Sequence, residues 1–228
     1  MADDEAAVLA KVLLRSRPAP VSADGPRGLL PLGLAQGRDG LLYVPESYAP
    51  ERPAPLIVML HGAGGAASRS IDPLIGLAEE CGLILLAPDS RGRTWDVVLG
   101  GYGPDVAFID RALRHVFDRY AVSPAHLAIA GFSDGASYAL SLGIMNGALF
   151  SHIIAFSPGF SVPVVQQGEP AIFISHGTAD EVLPVERCGR RLRRILAEGG
   201  YNVHYHEFEG AHTIPAAIAR EAVAWLLQ

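Results

Sequence analysis

The chain has 228 residues, half of them apolar, which suffices for one domain with a sizeable core and excludes an intrinsically disordered chain. Its formal net charge of −6 argues against nucleic acid or an anionic membrane as a partner, because no basic stripe is present to neutralise phosphates. No apolar stretch approaches the roughly 20 residues that span a bilayer, so membrane insertion is not expected.

Strand and helix patterns alternate along the chain. A short amphipathic helix at residues 4–15 is followed by a breaker-rich stretch and by an edge hairpin at 29–50. The predicted buried strands cover residues 55–62, 82–89, 126–132, 152–158, 171–177 and 202–208. The predicted helices that separate or follow them cover residues 71–81, 105–120, 136–147, 184–198 and 215–227. The alternation predicts an α/β fold with a mostly parallel sheet and helices on both faces.

The domain organisation predicted from this pattern is a single α/β domain over residues 1–228, with 1–25 as an N-terminal helix and irregular lead-in. No internal repeat or interdomain linker interrupts the alternation. The N-terminal segment MADDEAAVLAKVLL is acidic where a secretory signal would be basic, which predicts a cytoplasmic protein. Cys81 and Cys188 lie far apart and are predicted to be free thiols.

The segment Gly131-Phe132-Ser133-Asp134-Gly135 has the spacing G-x-S-x-G between a predicted strand and a predicted helix. This spacing is typical of a nucleophile elbow, in which glycines let neighbouring backbone pass a strained turn and the serine hydroxyl stands clear of the sheet. The alternative is a glycine-rich loop with a capping serine. The apolar strand before the motif and the alanine-rich helix after it favour catalysis.

A serine nucleophile needs a base that is oriented by an acid, in the chain order serine, acid, histidine. The histidines that follow Ser133 are His152, His176, His204, His206 and His212. His212 lies in a loop between the last strand and the last helix, where a general base is expected. His204 and His206 share one strand face, but no cysteine or carboxylate stands at ligand spacing, so zinc is the weaker interpretation and no metal is expected.

The acid is expected after the strand at 171–177, where Asp180 and Glu181 follow. Asp180 comes first after the turn and is the preferred candidate, although a turn or helix-capping aspartate is the alternative. The oxyanion hole is expected in the glycine-rich segment MLHGAGGAA after the first central strand, with the backbone amides of Ala63 and Asp134 as donors and Gly64 as the alternative to Ala63. The Lys-Ser/Thr ending of a phosphate-binding loop is absent.

The motifs LHGAGG, APDSRGRTWD, GFSDGASYAL, AFSPGF, SHGTADEVLPV and EGAHTIP follow one another over residues 55–215. In this order they resemble the α/β-hydrolase superfamily, and within it the phospholipase/carboxylesterase (acyl-protein thioesterase-like) serine esterases. The resemblance implies Ser133 as nucleophile, Asp180 as orienting acid and His212 as base. The chain order and surroundings of the individual residues favour the same three positions.

Two features depart from that group. Asp134 stands where a neutral residue, often Gln, usually follows the nucleophile, and we expect its side chain to face solvent or a basic partner. Only SVPVVQQGEP separates AFSPGF from the next strand, which is too short for a helical cap. We therefore expect an open site without a cap domain, with Trp95 and Tyr102 of the long loop at 90–105 as substrate-binding walls; ordinary packing is the alternative for both aromatic residues.

These observations predict a serine carboxylesterase that hydrolyses short-to-medium acyl esters through an acyl-enzyme, without metal or organic cofactor. The expected partner is a small-molecule ester, and a homodimer is left open. The alternatives are a thioesterase, a hydrolase of small polyesters or phospholipids, and a hydrolase-fold binding protein without catalysis.

Overall fold

One eight-stranded sheet organises the computed structural model, which describes residues 8–21 and 25–228. The strands are β1 Gly28–Pro31, β2 Gly40–Val44, β3 Ala54–Leu60, β4 Ile84–Pro88, β5 Val122–Phe132, β6 His152–Phe156, β7 Ala171–Gly177 and β8 Val203–Phe208. Their order across the sheet is β1-β2-β4-β3-β5-β6-β7-β8. β1 and β2 form an antiparallel edge hairpin, β2 is antiparallel to β4, and all other pairs are parallel. The predicted mostly parallel sheet is confirmed.

Besides a short helical segment at residues 8–12 and a 3-10 helix at Asp96–Leu99, five longer helices flank the sheet in the described part of the chain: α1 Ala67–Cys81, α2 Pro104–Phe117, α3 Asp134–Met145, α4 Gly189–Glu198 and α5 Ala216–Leu226. Buried residues of α1 and α5 pack on one face, and those of α2, α3 and α4 pack on the other, as predicted. Residues 8–12 are helical; the beginning of the predicted helix at 4–15 lies outside the described residues. α4 begins later than predicted, because the segment after Pro184 forms turns.

The strand sequences explain why the central strands are buried on both sides. In β3, Leu56 and Val58 point into one core cluster, whereas Ile57 and Met59 point into the other. An uninterrupted apolar run is the pattern expected of a parallel strand that is covered by helices on both faces. β5 begins four residues earlier than predicted because Val122 pairs with Ala54 of β3. Residues 123–126, where the β3–β5 register shifts, form an irregular segment of the strand.

The parallel register brings the carboxyl ends of the central strands to one edge. Leu60 pairs with Gly131, Phe132 pairs with Phe156, and Gly177 pairs with Phe208. Functional groups of open α/β sheets collect at this edge. The segment from 157 to 170, between β6 and β7, contains no helix, so no separate cap covers the edge there.

Two further predictions concern the cysteines and the membrane-spanning potential of the helices. Cys81 and Cys188 are both free. Within residues 8–21 and 25–228, none of the helices has the length and apolar character that crossing a bilayer would require.

Candidate active site

Ser133 occupies a strained turn between β5 and α3. Its φ of 57° and ψ of −119° lie outside the regions that L-residues ordinarily adopt. The turn depends on the two flanking glycines: a Cβ on Gly131 would lie 2.2 Å from the backbone of Gly135, and a Cβ on Gly135 would lie 2.3 Å from the carbonyl oxygen of Leu60. Contacts this short exclude any side chain. The geometry is therefore that of a nucleophile elbow, with the serine partly exposed.

Asp180 and His212 form a hydrogen-bonded pair beside this turn. His212 Nδ1 lies 2.6 Å from Asp180 Oδ2, and the other carboxylate oxygen accepts hydrogen bonds from the amides of Val182 at 3.0 Å and Leu183 at 2.8 Å. Burial acts to raise the pKa of Asp180, but the Leu183 amide and His212 together hold this pKa below its usual value. The ionised carboxylate therefore accepts from the Nδ1–H of His212 and leaves Nε2 as a proton acceptor.

A contact with Phe132 brings the pair beside the turn of Ser133, although no hydrogen bond joins His212 to the Ser133 hydroxyl in the described residues. The rings of His212 and Phe132, the residue before Ser133, lie 4.6 Å apart between centroids. Backbone hydrogen bonds from Thr178 to Phe208 and from Ala179 to Gly210 join the loop of the acid to the loop of the base, both at 2.9 Å. The three candidate residues thus come to one edge of the sheet from three separate loops.

His176 contacts both Asp180 and the turn that follows it, and the sequence did not predict this arrangement. This fully buried side chain donates from Nε2 to the carbonyl oxygen of Leu183 at 2.6 Å, and the same nitrogen lies 3.4 Å from Asp180 Oδ2. Burial lowers the pKa of His176, which favours the neutral ring. His176 therefore braces the turn from Asp180 to Leu183. Its spacing of four residues from Asp180 is the only sequence signal of this contact.

The glycine-rich loop after β3 lies against Ser133. A Cβ on Gly62 would lie 3.4 Å from the Cβ of Ser133. The Gly64 amide donates to the carbonyl oxygen of Arg93 at 2.7 Å, so the predicted alternative donor is already occupied. Among the described residues, none accepts a hydrogen bond from the Ala63 amide. Asp134 is the first residue of α3, where a backbone N–H has no intrahelical partner.

His61 and Arg38 hold this loop in shape. The His61 ring is 2% exposed; its Nδ1–H donates to the Gly62 carbonyl at 2.7 Å, and Nε2 accepts from the Ser90 amide at 3.0 Å. Arg38 Nη2 lies 3.0 Å from His61 Nε2 and 3.0 Å from the Gly65 carbonyl. Burial lowers the pKa of His61, which keeps Nε2 available as an acceptor. Arg38 comes from the hairpin loop between β1 and β2, and sequence reasoning missed it.

Trp95 does not form a substrate wall, which corrects the expectation from the sequence. Its side chain is 0% exposed, donates from Nε1 to the His61 carbonyl at 2.8 Å, and stacks on Tyr138 with centroids 5.1 Å apart. The indole therefore supports the glycine-rich loop from within the core. Tyr102 is half-buried and donates to the Val162 carbonyl at 2.8 Å, which ties the long loop to the segment after β6. Burial raises the pKa of Tyr102 to about 12.

The Asp134 side chain has a neutral partner. Its Oδ2 accepts a hydrogen bond from the Thr94 hydroxyl at 2.7 Å, rather than an ion pair with a basic side chain. His204 and His206, the weaker metal candidates, both hydrogen-bond Glu221 of α5 at 3.1 Å. In the residues that the structure describes, no set of three His, Cys, Asp or Glu side chains is arranged to hold a metal ion.

A cavity of about 230 Å³ adjoins the site on the α1 side. Gly62 and Ala63 of the glycine-rich loop form one wall, and Phe132 joins the cavity to the nucleophile turn. The other lining residues are Met59, His61, Gly65, Arg69, Ser70 and Ile214.

Known proteins share this fold and parts of this sequence. Feruloyl esterase C from Emericella nidulans is 31% identical over 158 residues, which are 66% of this chain and 57% of that protein. A ferulic acid esterase from Anaeromyces mucronatus, solved with ferulic acid, superposes with a TM-score of 0.65 at 17% identity over 93% of each chain. The fluorophosphonate-binding serine hydrolase F of Staphylococcus aureus gives a TM-score of 0.69 at 15% identity over 90% of this chain and 100% of its own.

The structural likenesses at these identities establish the fold, which is that of the α/β-hydrolases. This chain spans 57% of the length of the fungal feruloyl esterase, so that protein is a partial match. The profile of the phospholipase/carboxylesterase family matches residues 107–226, a region that includes the nucleophile turn, the acid and the histidine. Because that region is more than half of the chain, the chain belongs to the phospholipase/carboxylesterase family.

Proposed function

We propose that this chain is a serine carboxylesterase with Ser133 as nucleophile, His212 as general base and Asp180 as the orienting acid. The observation that carries the proposal is the 2.6 Å hydrogen bond between Asp180 and His212, formed beside a serine held at a positive φ of 57°. A buried, ionised acid fixes the imidazole tautomer that accepts a proton from serine. Membership of the carboxylesterase family supports the same assignment.

The mechanism that follows is acyl transfer in two stages. His212 takes the Ser133 proton as the hydroxyl attacks the ester carbonyl, and the resulting oxyanion accepts hydrogen bonds from the amides of Ala63 and Asp134. Collapse of this adduct breaks the ester bond, and His212 gives its proton to the leaving alcohol. Water, deprotonated by His212, then attacks the acyl-enzyme and releases the acid and the free serine.

The substrate class is an ester with a short-to-medium acyl group. The segment of residues 157–170 builds no helical cap, so the mouth of the site stays open to small esters. Hydroxycinnamoyl esters are the second candidate, and the similarity to feruloyl esterase C favours them. A thioester would use the same residues, since the carbonyl is attacked in the same way.

Labelling with a fluorophosphonate tests the proposal directly. We expect the wild-type protein and a Ser123→Ala control to be labelled and to hydrolyse p-nitrophenyl butyrate, whereas Ser133→Ala does neither. Ser123 lies in the irregular segment of β5, so its variant reports the effect of removing a remote serine. A folded wild-type protein that is neither labelled nor active would instead be a hydrolase-fold binding protein. A series of p-nitrophenyl esters of rising chain length then defines the acyl size.

A further inference from the structure

The cavity beside the turn of Ser133 is lined partly by residues next to the proposed reaction centre and partly by residues that have no role in the proposed mechanism. Gly62 and Ala63 line it, and the Ala63 amide is a proposed oxyanion donor. Phe132 lines it too, and its ring contacts the proposed base. When an ester carbonyl carbon is bound at Ser133 and the carbonyl oxygen lies at the Ala63 amide, a substituent on that carbon therefore lies directly beside this cavity.

The cavity is apolar near the sheet and cationic on the α1 side. Met59, Phe132 and Ile214 supply apolar surface, and Arg69, in the first turn of α1, is exposed at the other side. A volume of about 230 Å³ suits a single compact group rather than a long lipid chain.

Arg69 has no counter-ion within the described part of the chain. No carboxylate there lies within ion-pair distance of its guanidinium, and no hydrogen bond from its side chain is found. Arg190 and Arg220, by contrast, both pair with glutamates on the surface. A guanidinium presents donors in a planar fork that matches carboxylate and other acceptor oxygens. An unpaired guanidinium beside an apolar cavity can bind a ligand that is apolar along its length and carries an acceptor oxygen at its far end.

We propose that this cavity is the acyl pocket and that Arg69 selects acyl groups with an acceptor oxygen at the end remote from the ester. The inference rests on the proposed esterase function and names its substrate class. Two sources supply this chemistry: a dicarboxylic half-ester, whose far oxygen is a carboxylate, and a hydroxyaryl acyl group, whose far oxygen is phenolic. Both place an apolar stem against Phe132 and Ile214 and an oxygen at Arg69.

Matched ester pairs separate these sources. Methyl cinnamate carries no far oxygen, whereas methyl 4-hydroxycinnamate and methyl 4-carboxycinnamate carry a phenolic oxygen and a carboxylate on the same stem. We expect kcat/KM to be about tenfold higher for at least one oxygen-bearing ester than for methyl cinnamate. This ratio corresponds to the free energy contributed by one charge-assisted hydrogen bond. Arg69→Ala should abolish this preference mainly by raising KM. Arg194→Ala, an exposed arginine of α4, is the matched control and should keep it.

Binding measured without turnover keeps the inference separate from the proposed catalysis. In Ser133→Ala, calorimetry should show methyl 4-carboxycinnamate or methyl 4-hydroxycinnamate binding more tightly than methyl cinnamate, and the added Arg69→Ala change should remove the difference. Equal affinities in Ser133→Ala, or a preference that survives the loss of Arg69, would overturn the acyl-pocket proposal even if the esterase is active. Failure of fluorophosphonate labelling would overturn the esterase proposal and, with it, the acyl role of the cavity, whatever preference the calorimetry shows.

Discussion

The contact between His176 and Leu183 gives the most direct test of how the acid is held. His176→Leu removes the donor to the Leu183 carbonyl but keeps an apolar side chain in the buried site. His176→Gln keeps a donor, because the amide nitrogen of Gln reaches the position of Nε2. His176 Nδ1 has no hydrogen-bond partner in the described residues, so neither substitution removes a second hydrogen bond.

The expected magnitude follows from the lost hydrogen bond. A buried carbonyl left without its donor costs about 1–3 kcal/mol of unfolding free energy. In a domain of this length, that loss lowers the melting temperature by roughly 2–12 °C. Since the Leu183 amide also donates to Asp180, we expect loosening of the turn to lower kcat by about tenfold, equivalent to about 1.4 kcal/mol, with KM nearly unchanged.

Thermal denaturation and the kinetics of p-nitrophenyl butyrate hydrolysis measure both effects. Melting temperature and kcat should fall in His176→Leu and return towards wild type in His176→Gln. The reasoning would be refuted if Leu and Gln behaved alike, or if kcat stayed at the wild-type level while stability fell. Either result would mean that His176 fills space and does not position Asp180.

Three other predictions use the same structure. Gly135→Ala should lower the free energy of unfolding, measured in urea, by more than about 3 kcal/mol, because the new methyl group meets a strand carbonyl at 2.3 Å. Gly76→Ala, where nothing lies within 4 Å, should instead raise this free energy by roughly 0.5–1 kcal/mol. Similar effects of the two substitutions would contradict the prediction. Asp134→Asn should keep kcat within a few-fold of wild type, since its partner is a neutral hydroxyl; a collapse in rate would give the charge a direct role. Burial lowers the pKa values of His61 and His176 from 6.5, so the unfolded chain takes up protons at these residues before the folded chain does. The free energy of unfolding should therefore fall as the pH drops below 6.5, by at most about 1.4 kcal/mol per pH unit for each residue. Urea unfolding at pH 7.5 and 5.5 checks the sign, and His176→Gln should show a shallower dependence than wild type.

The fold was predictable because local patterns report it. Apolar runs such as residues 55–62 and 82–89 have the composition of strands covered on both faces, and their alternation with helices leaves few topologies. The G-x-S-x-G spacing likewise predicted the strained turn, because only glycine tolerates backbone at 2.2–2.3 Å. The position of His212 after the last strand followed from chain order.

Contacts between distant residues were decided by tertiary structure alone. Arg38 contacts His61 and Gly65, and the Arg93 carbonyl accepts a hydrogen bond from the Gly64 amide. Trp95, which was expected to be a substrate-binding wall, is buried under the glycine-rich loop. Periodicity and spacing describe how a residue relates to its chain neighbours, whereas a hydrogen bond across dozens of residues depends on how loops from different strands meet. Sequence therefore determined which residue types reach the active edge, and packing determined which of their donors, acceptors and surfaces remain available to a substrate.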